Sequence, residues 1–306
     1  MNLESKFDEI RKLSKMAYGN HEIWPGYFDR RFYEFNQYYS YFPKEKLPNC
    51  LELGCGLGYH SAFLSQVFDH VVSTDLEDAS SEDHAIGLDR TREFLAQLGV
   101  SNVRVEGCSA EELPFPDDSF DFVYSNFVME HVPDRSKAFK EIYRVLKPGA
   151  YHFCVVPSRF DKFYALIYYY LYLIERVYSR SIGKWLKKKH SSDSEFERED
   201  VQNNKSMLRH FPFPPPHGAY PHYFAELIQW GTSKWKNQIE KSGLYTKVVD
   251  ATTQFNPVVQ IFFTLFPKWS LQSKKRWMNA EVRFGQYKIF KWIGYNAVLV
   301  YKKQEH

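Results

Sequence analysis

The chain has 306 residues, enough for one large core or for a medium domain carrying a sizeable insertion. Its 40 Lys and Arg nearly balance 37 Asp and Glu, so the net charge of +3 gives no electrostatic footprint of a nucleic-acid binder. Rings are the informative part of the composition, with 13 aromatic residues in 50–157 and 42 in the other 198 positions. That imbalance points to an aromatic-walled pocket, an oligomer face or a membrane-facing surface outside 50–157, or to a core that uses rings.

The N-terminal stretch MNLESKFDEIRKLSK is charged and lacks an apolar run, so no secretory signal is expected and the protein is read as cytoplasmic. Leu3, Phe7, Ile10 and Leu13 recur at helical spacing, and a ring-rich tract with Trp24, Tyr27 and Tyr33 follows. Residues 1–45 are expected to form a helical aromatic cap. After Pro48 short apolar runs alternate with helix-length amphipathic stretches, the pattern of βαβ units on a mostly parallel sheet. Strands are expected at 50–53, 70–75, 103–106, 120–125 and 151–156, with helices at 59–68, 86–98 and 134–147 between them. An acidic loop, LEDASSEDHA, precedes the second helix.

The rhythm breaks from 158 to 221. FYALIYYYLYLI, residues 163–174, carries no charge, and twelve residues are too few to span a bilayer. Three readings stand for it: a lid packed on the core, a membrane-surface helix beside Lys187, Lys188 and Lys189, or an oligomer contact. A proline-rich loop, HFPFPPPHGAYP, then excludes helix and central strand. Alternation resumes with a helix at 223–241, a strand at 246–250 and a last strand at 296–303. The expected division is therefore a cap (1–45), a core (46–157), an insertion (158–221) and the C-terminal part of the core sheet (222–306).

The most specific motif is Glu52-Leu53-Gly54-Cys55-Gly56-Leu57-Gly58, at the junction of the first strand and first helix. Glycines suit a turn of positive φ that a ligand must approach closely, and the helix start offers free N–H groups. A dinucleotide-binding G-x-G-x-x-G would need glycine at 59, where this chain has Tyr59, so a nicotinamide oxidoreductase is disfavoured. Strand four runs into SNFV and lacks the N/D-P-P-Y/F motif of nucleic-acid methyltransferases. Cys50, Cys55, Cys108 and Cys154 show no zinc spacing, and no metal is expected.

The acid followed by G-x-G-x-G resembles motif I of class I S-adenosylmethionine-dependent methyltransferases. Residues 103–157, with LPFPDDSFDFV and EIYRVLKPG, are similar to the group that contains the ubiquinone-biosynthesis methyltransferases. The likeness covers 48–157 strongly and 222–250 loosely. It implies an α/β, Rossmann-like seven-stranded mixed sheet of order 3-2-1-4-5-7-6 with strand seven antiparallel, and S-adenosyl-L-methionine as cofactor.

Carried over residue by residue, it places Glu52, Gly54, Cys55, Gly56 and Gly58 at the cofactor turn. Asp75, with Leu76 beside it, falls where the family's ribose-binding acid stands; a helix cap or solvated acid is the alternative. Ser109 and Ala110 fall at the adenine, where the family usually has Asp in place of Ser109. Gly149-Ala150 replaces the usual Gly-Gly, a mild departure. Asn126 and Phe127 fall at the methyl-transfer pocket, and His131 near the methionine end, as a base or substrate contact or as a brace of the helix near Asp134. His217 is a second candidate, in a substrate wall or simply solvated. The implied reaction is methyl transfer by in-line displacement to a small-molecule or lipid-linked acceptor, through an oxygen nucleophile. The alternative is a non-catalytic methyltransferase-like binding module, for which Ser109 is the one hint.

Overall fold

Strands β1 (Asn49–Leu53), β2 (His70–Asp75), β3 (Val103–Gly107), β4 (Phe120–Asn126), β5 (Leu146–Pro157), β6 (Tyr245–Thr252) and β7 (Asn296–Lys302) form one sheet in the order β3-β2-β1-β4-β5-β7-β6. The computed structural model of the chain describes residues 27–44, 47–77, 88–186, 211–252, 276 and 294–305. The pairs β1–β2, β1–β4, β2–β3 and β4–β5 are parallel. Such strands are covered on both faces, and β1 accordingly buries Cys50, Leu51, Glu52 and Leu53 in succession.

β7 runs against β5. At one end the Gly149 N–H donates to the Lys303 carbonyl and the Lys303 N–H to that of Ala150; at the other the Ser158 N–H donates to the Tyr295 carbonyl. Rising numbers on one strand meet falling numbers on the other, which defines an antiparallel pair. The chain steps outward from β1 through β2 to β3 and then crosses to β4, so the strand order reverses between β1 and β4. In open α/β sheets that reversal leaves a crevice beyond the strands' carboxyl ends.

The helices are α1 (Tyr27–Tyr39), α2 (Tyr59–Leu64), α3 (Leu88–Gln97), α4 (Arg135–Val145), α5 (Arg159–Leu186), α6 (Tyr223–Gln229) and α7 (Thr232–Glu240). α4 shows why these residues form a helix. Asp134 accepts a hydrogen bond from the Lys137 N–H at 3.0 Å, a cap of about 1 kcal/mol, and Ala138, Phe139, Ile142 and Val145 make one buried face.

The chain divides into two units. The first comprises Met1–Val156, Ser233–Asp250 and Val298–His306, the second Pro157–Thr232 and Ala251–Ala297. In the first, rings from α1 and the segment after it (Phe35, Tyr38, Phe42) join Phe63, Phe122 and Phe153 in the core. Tyr124 and Phe153 stack with their centroids 5.4 Å apart and planes 1° off parallel. Burial of each such ring contributes about 1.5–3 kcal/mol.

Several expectations change. The helix expected over 223–241 is two, α6 and α7, parted at Trp230 and Gly231. Glycine, a poor helix former, stands at this break. β5 begins at Leu146 instead of 151, because Phe120 pairs with Leu146 before the register shifts to Phe122 with Tyr151. The uncharged run 163–174 is the middle of a 28-residue helix, α5. Among the described residues no helix is long and apolar enough to cross a membrane. The expectations for 1–26 with Trp24, for the acidic loop beyond Glu77, and for Lys187, Lys188 and Lys189 lie outside the described residues.

Candidate functional site

The first unit gathers most of the expected site at the carboxyl ends of β1 to β4. The turn after β1 takes positive φ at Gly54 (70°), Gly56 (49°) and Gly58 (77°). Two of these glycines are required for different reasons. A Cβ on Gly54 would stand 2.2 Å from Val128 in the segment after β4, so close approach of two loops forbids one. A Cβ on Gly56 would meet nothing within 4 Å: the turn there faces open space, with only its left-handed backbone to favour glycine.

Asp75 closes this turn from β2. Its Oδ2 accepts the Gly56 N–H at 2.8 Å, and its Oδ1 accepts the Leu76 N–H at 2.9 Å. A carboxylate has about four acceptor positions, so these two bonds leave capacity on both oxygens. The Cys55 N–H donates to the Thr74 carbonyl and the Cys108 N–H to that of Asp75, each at 2.9 Å, which joins the ends of β1, β2 and β3. Leu76, a large apolar side chain beside Asp75, is 58% exposed. The Ser109 hydroxyl accepts the Glu111 N–H at 3.2 Å, and its carbonyl accepts the Glu112 N–H, so it is held in a turn of its own. Ala110 is partly buried in that turn.

Glu52 is placed differently from its glycine neighbours. It is 1% exposed, and its Oε2 accepts the hydroxyls of Ser61 (2.5 Å) and Ser73 (2.6 Å), tying β1 to α2 and β2. Its carboxylate therefore acts on the crevice from beneath, by fixing the turn, and does not present itself to a ligand. Burial pushes its pKa up to about 7, against the opposing pull of the two hydroxyls. The Thr91 hydroxyl, on α3, donates to the Gly56 carbonyl at 2.5 Å, a support that motif spacing does not announce.

After β4, Phe127 holds φ 56°, rare for a residue with a side chain, and its N–H donates to the Val155 carbonyl at 3.0 Å. Asn126 Oδ1 is buried with no hydrogen-bond partner beside this bend. Its neighbour in the segment, His131, is 38% exposed, with Nε2 4.0 Å from the carboxylate of fully buried Glu130. Next to it Asp134 caps α4, and the Arg135 guanidinium donates to the carbonyls of Met129 (2.8 Å) and Glu130 (3.1 Å).

His217 belongs to the second unit. The backbone N–H groups of His217 and Gly218 donate to Glu226 Oε1 at 2.7 and 2.5 Å, and its exposed ring meets Trp230 edge-on at 6.3 Å. Glu226 also pairs with Lys162 at 2.5 Å, with both side chains almost completely buried, and the Lys162 ammonium sits 4.4 Å over the Trp230 ring. Sequence reading missed Glu226. Its signal was an acid on the same helical face as Tyr223 and Trp230. All four cysteines are free, and burial raises the thiol pKa of each.

Comparison with known proteins agrees with this arrangement. The model of the methyltransferase domain family matches residues 51–154. A demethylmenaquinone methyltransferase of Listeria monocytogenes serotype 4a is 34% identical over 122 residues, 38% of this chain and 47% of that protein. The ubiquinone/menaquinone biosynthesis C-methyltransferase UbiE of Rickettsia akari is 30% identical over 175 residues, 56% of this chain and 64% of that protein. The chain thus spans about half to two thirds of the length of these curated relatives. Among solved structures, the PH0226 protein of Pyrococcus horikoshii superposes with a TM-score of 0.51 at 17% identity, over 92% of this chain and 94% of that one. The cyclase SpnF also superposes at 0.51, with 13% identity, over 90% and 81%. Residues 51–154 therefore match a methyltransferase domain, and the sheet around them has the Rossmann-like fold of the solved structures it superposes on. The chain's sequence relatives are of the ubiquinone-biosynthesis type.

Proposed function

We propose that this protein is an enzyme that transfers a methyl group from S-adenosyl-L-methionine to a small-molecule or lipid-linked acceptor in the cytoplasm, with the cofactor in the crevice between β1 and β4. The observation that carries the reading is the Asp75 carboxylate bonded to the Gly56 N–H, beneath a turn whose Gly56 Cα faces open space. The remaining acceptor capacity of Asp75 suits the paired ribose hydroxyls. Leu76 offers an apolar wall to the adenine, with Ser109 and Ala110 at its edge, and Asn126 and Phe127 take the methionine end. When bound, the cofactor supplies a methyl group activated by its positive sulfur. The chain's own contribution is to hold the acceptor in line and exclude water, and orientation of this kind is worth up to about 7–11 kcal/mol.

His131 is the proposed base for an acceptor hydroxyl. Its Nε2 lies 4.0 Å from the carboxyl group of Glu130, and its partly exposed ring is open to an acceptor. His217, held by Glu226, is assigned to acceptor contact. A second reading, methylation of a ring carbon, is favoured by the names of the relatives, one of which is a C-methyltransferase. The superposition on a cyclase shows that this fold also serves other chemistry, so the reaction has to be assayed. The assay is incubation with methyl-labelled cofactor and lipid extract, followed by mass spectrometry of the labelled product. Label on an oxygen is expected; label on carbon supports the second reading; no label in any fraction, with cofactor bound, identifies a non-catalytic module.

A further inference from the structure

The glycine turn after β1 is gripped from two sides, and only one of them is a strand. Gly56 takes φ 49° and its Cα faces open space, so neither a side chain of its own nor packing around its Cα fixes it. Glycine moves between such conformations at little steric cost. Both of its peptide groups are bonded instead. Asp75 Oδ2, at the end of β2, accepts the Gly56 N–H at 2.8 Å, and the Thr91 hydroxyl, on α3, donates to the Gly56 carbonyl at 2.5 Å.

The second bond acts on the middle of the turn. The Gly58 N–H donates to the Cys55 carbonyl at 2.9 Å, which closes a four-residue turn over Cys55–Gly58 and makes the Gly56–Leu57 peptide its central one. Turn types differ by rotation of that central peptide, and in a planar trans peptide the carbonyl and the N–H lie on opposite edges. A donor on the Gly56 carbonyl therefore sets the direction of the whole peptide unit.

Thr91 is well placed to do so, because it is completely buried and α3 is anchored on both sides of it. Its methyl group is packed on the same turn: a Cβ at Gly58 would stand 2.8 Å from Thr91 Cγ2, with Phe94 at 3.4 Å and Leu95 at 3.8 Å. The Phe94 ring meets Tyr59 edge-on at 5.3 Å, and the Arg92 guanidinium donates to the Val105 carbonyl at 3.1 Å. α3 is thus fastened to the start of α2 and to β3, and the hydroxyl reaches the turn from a fixed position.

We propose that Thr91 is a positioning residue for the cofactor: its hydroxyl holds the central peptide of the glycine turn in the orientation that S-adenosyl-L-methionine meets, and its methyl group only packs. This rests on the reading of the crevice as the cofactor site. A turn already ordered before the ligand arrives loses less on binding than one that the ligand has to order, so removing the hydroxyl weakens affinity without touching the ligand.

The test is calorimetric titration of the full chain with S-adenosylhomocysteine, for the wild type, Thr91→Val and Thr91→Ser, together with urea unfolding of each. Val keeps the shape and the packing on Gly58 and removes the donor; Ser keeps the donor and removes the methyl group. Thr91→Val is expected to bind about tenfold more weakly, and Thr91→Ser within about threefold of the wild type. The split between the two variants separates positioning from packing, because a role in stability alone would follow the unfolding midpoint in both. If Thr91→Val does not fold, Thr91→Ala takes its place, with the same loss expected relative to Thr91→Ser. Binding by the wild type that Thr91→Val (or its replacement) leaves undiminished overturns the proposal while the cofactor reading stands. Equal losses in the variants with and without the hydroxyl also overturn it and assign the effect to packing on Gly58. No binding by the wild type overturns the cofactor reading itself, and this proposal with it.

Discussion

The two units differ in what they leave exposed. In the first, rings fill the interior, and Asp75 lies where parallel strands end, held by the backbone N–H groups of Gly56 and Leu76, with Glu52 one layer below, held by two serine hydroxyls. In the second, a lysine and a glutamate are buried as a pair while Phe163, Ile167, Tyr170 and Ile174 face outward. A sheet core can bury its rings and still leave strand ends to bind a ligand. The second unit, which buries Tyr169, Tyr223 and Trp230 as well, leaves large apolar side chains of α5 exposed.

That contrast breaks most sharply at Glu226. Replacing it with Ala leaves the Lys162 ammonium buried and opens the loop that carries His217, so destabilisation of about 3–5 kcal/mol is expected in the second unit. Hydrogen exchange followed by mass spectrometry should show peptides from 159–174 and 211–229 losing protection while β1 to β4 keep theirs. Equal loss in both sets of peptides would mean that the pair stabilises more than its own unit.

A smaller effect is expected at Glu52, and its sign is set by its raised pKa. The unfolded chain loses this proton near 4.5, the native state near 7, so between those values the native state holds more protons and stability falls as pH rises. Glu52→Gln keeps an oxygen for the two serines and cannot titrate. Its stability relative to the wild type should therefore rise by about 2–3 kcal/mol between pH 4.5 and 7, as urea unfolding would show. A difference that stays constant with pH would refute the assignment.

The first unit was the more legible in sequence, for a physical reason. β2 was read with its observed bounds because His70–Asp75 is a short apolar run ended by a polar loop, and the glycine turn declares itself by residue type. The place of Glu52 beneath the turn was not legible, since its partners Ser61 and Ser73 meet only when β1, α2 and β2 are packed. In the second unit the charge-free tract 163–174 drew attention to itself, yet α5 continues through charged residues on both sides, because helical spacing persists where hydrophobicity does not. Gly231 was the overlooked sign that 223–241 is broken.

The central claim is that the turn after β1 and the acid at the end of β2 together hold an adenosyl cofactor. Calorimetric titration with S-adenosylhomocysteine tests it most directly: the wild type should bind one equivalent, and Asp75→Ala should bind at least tenfold more weakly while its unfolding midpoint stays close to that of the wild type. Equal affinity in the two proteins, or no binding heat from the wild type at high protein concentration, would contradict it.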